Sequence, residues 1–100
     1  MTTVHHVYKA SNLVYIGRAM RTLKQSVYYN PFKLGIDGDR KEVIEKFSDY
    51  WYAPEQKWLR DTAVKELAYK KLGCWCKPLD CHGDIIAGYV NWKSQSSLFL

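Results

Sequence analysis

The three cysteines of this 100-residue chain all lie in one short segment between Leu72 and Asp84, which also carries a histidine and two acids. Cysteine and histidine are the side chains best suited to thiolate chemistry, metal ligation and proton transfer. The segment begins in a predicted buried strand and ends in a predicted helix, and α/β proteins bind ligands at such junctions. The sequence therefore predicts where a functional site lies more clearly than which chemistry it performs.

Three interpretations of these side chains are open. Cys74, Cys76, Cys81 and His82 have the donor types of a zinc site, but their spacing lacks the usual Cys-x-x-Cys turn, so we expect no zinc and no other cofactor. A reactive thiolate is the second, because a helix N-terminus would stabilise the anion of Cys81. Simple packing is the third, because free cysteine is often buried. If the protein is an enzyme, the candidate catalytic residues are Cys81, His82 and Asp84.

A further interpretation uses backbone amides. The amides of Cys81, His82 and Gly83 are expected in the first turn of a helix, where they can hold an anion, and Gly83 would let a ligand approach closely. Gly17 and Arg18 end an earlier strand, and a guanidinium can make a bidentate contact with a phosphate. An exposed salt bridge is the alternative role for Arg18. Ends of neighbouring strands lie close together, so both segments should face one cleft.

A rigid turn at Asn30-Pro31-Phe32 adds a polar and aromatic group. Asn30 could hydrogen-bond a base or ribose while Tyr28 or Tyr29 stacks on it, whereas a purely structural turn would bury Phe32. The predicted ligand-binding residues are therefore Gly17, Arg18, Tyr28, Tyr29, Asn30, Cys81, His82 and Gly83.

Short strands and a long loop should position these residues. Strands are predicted over residues 4–9, 13–16 and 72–75, where β-branched, aromatic and apolar residues are frequent. The residues from Ala19 to Gly38 read as a loop, and a loop of about twenty residues in a small domain is often functional.

Three helices are predicted from caps and apolar spacing. Asp39 and Glu42 form a capping box before the first helix, Pro54 suits the first turn of the second, and Asp80 is expected to cap the last. The predicted fold is one small α/β domain over residues 1–100, in which three helices flank a partly parallel sheet of about three strands.

Composition restricts the class of protein. The formal charge is +5 and no run of basic residues exceeds two, which favours an anionic small molecule over a specific nucleic acid. No segment approaches ~18 consecutive apolar residues, so no membrane partner is expected. An odd number of cysteines favours a reduced compartment, and we expect a cytoplasmic protein. The apolar Leu98-Phe99-Leu100 could pack on a second copy, which leaves a homo-oligomer open.

Several motifs follow one another along the chain: Tyr15-Ile16-Gly17-Arg18, Asn30-Pro31-Phe32, Arg40 with Glu42-Val43-Ile44, Leu72-Gly73-Cys74-Trp75-Cys76, Pro78, and Cys81-His82-Gly83-Asp84. In combination they resemble an uncharacterised family of small domains that is common in phages and bacteria. The resemblance runs from about Val4 to Asn91 and implies a fold and a site, but no reaction. The chain differs from that family in an added segment, residues 20–27, and in having Tyr28-Tyr29 where a Trp-Gly pair is usual.

The sequence thus favours a domain that binds a nucleotide or a related phosphorylated ligand. If the chain is encoded by a phage, it would act in the host cytoplasm on a host signalling nucleotide. An enzyme acting on a nucleotide or its glycosidic bond is the first alternative, and a zinc-stabilised interaction module is the second.

Overall fold

A computed structural model describes residues 1–97 and contains one sheet of three short strands. The strands are β1 (Thr3–His6), β2 (Leu13–Tyr15) and β3 (Lys71–Cys74). Their order across the sheet is β1-β3-β2, and β3 pairs in parallel with both neighbours. The predicted α/β class is confirmed, and within the described residues every strand pairing is parallel.

The central strand is the most buried because it has a neighbour on each side. Leu72, in β3, is completely buried and lies opposite Val4 in β1 and Val14 in β2. Continuous burial of an apolar strand is typical of parallel sheets whose faces are covered by helices. The parallel arrangement also brings the carboxyl ends of β2 and β3 to the same edge of the sheet, where the predicted site should lie.

Three α-helices complete the domain: α1 (Arg40–Tyr52), α2 (Lys57–Leu67) and α3 (His82–Ser97). A short 3₁₀ turn, Pro54–Gln56, begins with the predicted proline and leads into α2. Helix α3 contacts α1, α2 and β1, so it joins the helices to the sheet. None of these helices is long and apolar enough to cross a membrane.

The start of α1 agrees with the sequence, whereas the start of α3 does not. Asp39 and Glu42 form the predicted capping box. At α3 the predicted cap, Asp80, is wrong, because the helix begins at His82 and the residue before it is Cys81. The thiol of Cys81 accepts a hydrogen bond from the amide of Gly83 at 3.1 Å and thereby caps the helix.

The hydrophobic core lies between α1, α2, α3 and the sheet. Each helix contributes apolar side chains at helical spacing, as expected for a stripe that faces the core. The main buried residues are Phe47 and Trp51 from α1, Leu59, Ala63 and Leu67 from α2, and Ile86 and Val90 from α3.

The long segment between β2 and α1 is a loop, as predicted. It contains a single isolated bridge, between Met20 and Leu23, and several turns. At the other end of the chain, α3 continues through Ser97, and the apolar Leu98-Phe99-Leu100 lies outside the described residues.

Candidate functional site

A cleft of about 320 Å³ opens at the carboxyl ends of β2 and β3. Open α/β sheets bind ligands at this edge, because the loops that follow parallel strands diverge there. Residues from both strand ends, from the long loop and from the first turns of α1 line the cleft. They include Gly17, Arg18, Asn30, Phe32, Arg40, Val43, Cys74, Trp75, Cys76, Asp80, Cys81 and His82. The two segments that were expected to face one cleft, at Gly17-Arg18 and at Cys81-His82, both contribute to this lining.

Two arginines in the cleft form no salt bridge with any carboxylate of the described residues. The guanidinium of Arg18 donates to the carbonyl of Asn30 at 2.6 Å, and that of Arg40 donates to the carbonyl of Asp80 at 3.0 Å. Among the described side chains the salt bridges are Lys57–Asp61 and Lys77–Asp84. Arg18 is therefore not in the exposed salt bridge that was its alternative role, and each arginine keeps free donors.

Arg40 was not predicted as a site residue. The sequence feature that could have indicated its role is its position directly after Asp39, the N-cap. Residues in the first turn of a helix lie close to the loop that leads into it. The sequence alone did not indicate that this turn lines the same cleft as Arg18.

The predicted stacking tyrosines do not line the cleft. Tyr28 is buried and its hydroxyl donates to the carboxylate of Glu66, so burial first, and this carboxylate second, raises the pKa of the phenol. The guanidinium of Arg18 lies over the ring of Tyr29, 5.6 Å from its centroid. Tyr28 is thus a core residue, and Tyr29 acts by holding Arg18 in place.

Besides His82, the aromatic residues in the cleft lining are Phe32 and Trp75. The indole N–H of Trp75 donates to the hydroxyl of Tyr15 at 2.7 Å, and that hydroxyl donates to the carbonyl of Arg18 at 2.6 Å. This chain of bonds passes over Gly17, where an added Cβ would lie 2.4 Å from the Tyr15 oxygen. Gly17 is therefore needed for the close approach of Tyr15.

The side-chain amide of Asn30 stabilises the loop and is not available to a ligand. Its side-chain oxygen accepts from the amide of Phe32 at 2.9 Å, and its side-chain nitrogen donates to the carbonyl of Val43 at 3.4 Å. Both ends of the side chain are thus used within the protein. Asn30 therefore contributes to the cleft mainly through its own backbone carbonyl, which accepts a hydrogen bond from Arg18.

His82 is buried and holds two loop segments together. Its Nε2 lies 2.9 Å from the carbonyl of Ile16 and 3.0 Å from that of Tyr28, so Nε2 must carry the proton. The ring also packs edge-on against Phe47, with centroids 5.0 Å apart. Burial lowers the pKa of His82, which keeps the imidazole neutral. Because Nε2 is engaged by two backbone carbonyls, the predicted role of His82 as a ligand contact does not fit this nitrogen.

The predicted amide anion site is largely occupied by the protein itself. The amide of Cys81 donates to the carboxylate of Asp84 at 3.1 Å, and that of Gly83 donates to the Cys81 thiol. Asp84 also pairs with Lys77 at 2.6 Å. An added Cβ at Gly83 would lie 2.7 Å from Ile16, so this glycine serves helix–sheet packing and not the approach of a ligand.

The three cysteines converge at the base of the cleft. The sulfur atoms of Cys74 and Cys81 are 2.9 Å apart and both residues are buried. Cys76 is half-buried and faces the same cleft. Hydrogen bonds from Cys74 and Cys81 hold the pKa of Cys76 well below its usual range, and Arg40 acts in the same direction.

The zinc alternative fits this arrangement poorly. Two thiolates on a tetrahedral zinc ion would be about 3.8 Å apart, given Zn–S bonds of about 2.3 Å. The Cys74 and Cys81 sulfurs are closer than that, and the His82 Nε2 is directed at two carbonyls. Throughout residues 1–97, no group of three or more His, Cys, Asp or Glu side chains has the geometry of a metal site.

Residues 2–92 match the family described as Domain of unknown function (DUF4326). Because this match covers nearly the whole sequence, the chain belongs to that family.

The chain is also similar to an uncharacterised 12.4 kDa protein from the nrdA-td intergenic region of Enterobacteria phage T4. The two are 40% identical over 55 residues, which cover 54% of this chain and 51% of the phage protein. The chain thus matches about half the length of this curated relative. No solved structure matches the chain.

Proposed function

We propose that the protein binds a nucleotide or a related phosphorylated small molecule in the cleft at the ends of β2 and β3. The observation that carries this proposal is the pair of arginines, Arg18 and Arg40, which line the cleft and lack a carboxylate partner among the described side chains. Arginine presents a planar fork of donors that matches the oxygens of a phosphate. A phosphate group would supply the negative charge that no described carboxylate of the protein supplies to these arginines.

The shape and composition of the cleft support a ligand larger than inorganic phosphate. Its volume lies near the lower end of the ~300–1,000 Å³ typical of small-molecule pockets. Phe32 and Trp75 offer ring surfaces on which a base could stack. Apolar rings beside a positively charged edge are the combination that a nucleotide requires, since it has a flat base at one end and an anion at the other.

An enzyme acting on a nucleotide or its glycosidic bond through the three predicted catalytic residues has less support. Its candidate residues, Cys81, His82 and Asp84, each have partners within the fold. A general base must reach a substrate proton with a free nitrogen or oxygen. The zinc-stabilised interaction module has less support because of the sulfur spacing and the orientation of His82.

Location in the host cytoplasm and action on a host signalling nucleotide belong to the same proposal. They are supported by the similarity to a protein of phage T4 and by the free thiols, which suit a reducing compartment.

Calorimetry with nucleoside 5′-monophosphates, pyrophosphate and the matching uncharged nucleosides tests the proposal. We expect at least one monophosphate to bind about tenfold or more tightly than its nucleoside, because a charge-assisted bond contributes roughly 1.5–3 kcal/mol. Arg18→Ala and Arg40→Ala should each weaken that binding by about tenfold or more. Arg21→Ala should leave the affinity unchanged, because Arg21 is exposed and lies outside the cleft.

Thermal melting of the same variants separates binding from folding. A variant that keeps its melting temperature and loses affinity places the arginine at the ligand. Equal affinity for a monophosphate and its nucleoside, or unchanged affinity in both cleft variants, would contradict the proposal.

A further inference from the structure

Three thiols meet in one place at the base of the cleft, and the proposed ligand contacts do not explain them. The sulfurs of Cys74 and Cys81 are 2.9 Å apart, although all three cysteines are free thiols. A disulfide requires a sulfur separation of about 2.05 Å, so the two residues could be joined by a shift of less than about one ångström. The carboxyl end of β3 and the start of α3 therefore already hold this pair in position.

The third thiol differs from the other two in access and in charge. Cys74 and Cys81 are 2% and 1% exposed, whereas Cys76 is half-buried and can be reached from the cleft. Cys76 also lies beside the guanidinium of Arg40, which stabilises a negative charge on sulfur. Access from the cleft and the neighbouring guanidinium both favour Cys76 over the two buried residues as the thiolate of the cluster.

The neighbouring thiols complete this arrangement. The hydrogen bond to Cys76 raises the pKa of Cys74, although the one to Cys81 acts in the opposite direction, and hydrogen bonds to Cys74 and Cys76 together with burial raise the pKa of Cys81. The amide of Gly83 acts on Cys81 in the opposite direction, but its effect is smaller than those of Cys74 and Cys76. One thiol that can be reached from the cleft thus lies beside two buried thiols.

We propose that the three cysteines form a peroxide-reactive thiol centre, in which Cys76 is oxidised first and the oxidation ends as a disulfide between Cys74 and Cys81. The oxidant is a hydroperoxide small enough to enter the cleft. This inference goes beyond ligand binding and does not depend on it, because it rests on the cluster itself.

The first step is attack of the Cys76 thiolate on one peroxide oxygen. An S–O bond forms and the O–O bond breaks, so sulfur is oxidised by two electrons to a sulfenic acid. With hydrogen peroxide the leaving group is hydroxide. The Cys81 thiol then attacks the sulfenic sulfur; an S–S bond forms, the S–O bond breaks, and water leaves with the thiol proton.

The last step is an exchange of disulfide partners. The Cys74 sulfur, in contact with Cys81, attacks the Cys81 sulfur and displaces Cys76 as a thiolate. A thiol of low pKa is the better leaving group, which favours this direction. The proton from Cys74 combines with the hydroxide of the first step. In sum, two thiols and one hydrogen peroxide give one disulfide and two waters.

Titration of reduced protein with hydrogen peroxide tests the proposal. Stoichiometric peroxide should leave one of the three thiols, and that thiol should be Cys76. Cleavage before Asp80 separates Cys74 and Cys76 from Cys81, so mass spectrometry of the fragments identifies the disulfide. Trypsin is unsuitable because residues 72–93 carry all three cysteines and contain lysine only before proline or at the end.

Two variants separate the roles of the cysteines. In Cys76→Ser the rate of disulfide formation should fall about tenfold or more, because the remaining thiols are buried and protonated. Cys74→Ser lacks the final acceptor of the exchange, so its oxidation should stop at a disulfide between Cys76 and Cys81. Thermal melting under reducing conditions shows whether each variant remains folded.

Three results would overturn the proposal. The first is a wild-type rate of disulfide formation in folded Cys76→Ser. The second is oxidation of Cys76 to a sulfinic acid with Cys74 and Cys81 still reduced. The third is a disulfide between two chains, which the mass of the unreduced protein would reveal.

Discussion

At the scale of single residues, the same side-chain types occur in the site and in the framework beneath it. Arg18 and Arg40 point charge into the cleft, whereas His82 and Tyr28 use their polar atoms inside the protein. Residue type alone does not separate these cases. Burial and the position of the nearest carbonyl or carboxylate distinguish site residues from framework residues, because a buried polar atom is normally hydrogen-bonded within the protein.

His82 gives the most direct test of this distinction. Replacing it with alanine removes a buried ring and leaves the carbonyls of Ile16 and Tyr28 without their donor. We expect His82→Ala to lower the free energy of unfolding by about 2–4 kcal/mol. Urea denaturation at neutral pH measures the change. His5→Ala is the control and should cost less, because the ring of His5 bonds the hydroxyl of the exposed Thr3.

The pH dependence gives an independent measure of the same contact. Burial lowers the pKa of His82 in the folded protein, while the unfolded chain takes up a proton at the ordinary value of about 6.5. Above that pH the residue is neutral in both states and contributes no dependence. Below it the unfolded state gains protons first, so wild-type stability should fall. His82→Gln keeps a hydrogen-bond donor but cannot titrate. If its free energy of unfolding depends on pH in the same way as that of the wild type, His82 is not neutral and buried in the folded protein.

At the scale of elements, the helix that carries Arg40 was predicted from sequence because its signals are local. Asp39 and Glu42 form a capping box, and Val43, Phe47 and Trp51 lie on one face. Both signals depend on residues within a few positions of one another.

The start of α3 was harder to predict for a physical reason. Aspartate is the usual cap, yet Asp80 lies one residue too early, and Cys81 takes its place with a thiol acceptor. The choice depends on the tertiary contact between Cys81 and Cys74. Likewise, the burial of His82 depends on carbonyls far away in the chain, which no local pattern indicates.

The capping box of α1 provides a prediction at this scale. The carboxylate of Asp39 accepts from the amide of Glu42 at 2.9 Å, so Asp39→Ala should lower the free energy of unfolding by about 0.5–2 kcal/mol. Asp49→Ala is the matched control, because it removes an exposed aspartate from the interior of the same helix and should change stability by about 0.5 kcal/mol or less. Thermal or urea melting compares the two. Equal effects would mean that the hydrogen bond from Glu42 to the Asp39 carboxylate contributes nothing measurable to the stability of α1.

At the scale of the whole molecule, the cleft exists because segments distant in sequence close on one another. β1 and β2 come from the first residues of the chain, while β3 and α3 come from its last third. The order β1-β3-β2 places the late strand between the early ones. Predicting the class was possible from the elements, whereas this order depends on pairing across the chain and could not be read from local patterns.

Thr2 is one of the contacts that closes the molecule. Its amide donates to the side chain of Asn91 at 2.7 Å, and its carbonyl accepts from the same side chain at 2.9 Å. Its hydroxyl donates to the carbonyl of Leu67 at 2.7 Å and accepts from the amide of Tyr69 at 3.2 Å. One small residue before β1 thus holds the end of α2 and the middle of α3.

Thr2→Val tests that closure, since valine has nearly the same shape and lacks the hydroxyl. The amide of Tyr69 would lose its partner, and the carbonyl of Leu67 would keep only the amide of Lys70 as a donor, so the free energy of unfolding should fall by about 1–3 kcal/mol. Thr3→Val is the control, because Thr3 is exposed and its hydroxyl meets the ring of His5. Urea denaturation should show the larger loss for Thr2. If both valine variants unfold at the same urea concentration, the Thr2 hydroxyl does not secure the ends of α2 and α3, and the closure rests on the Asn91 pair and the apolar core.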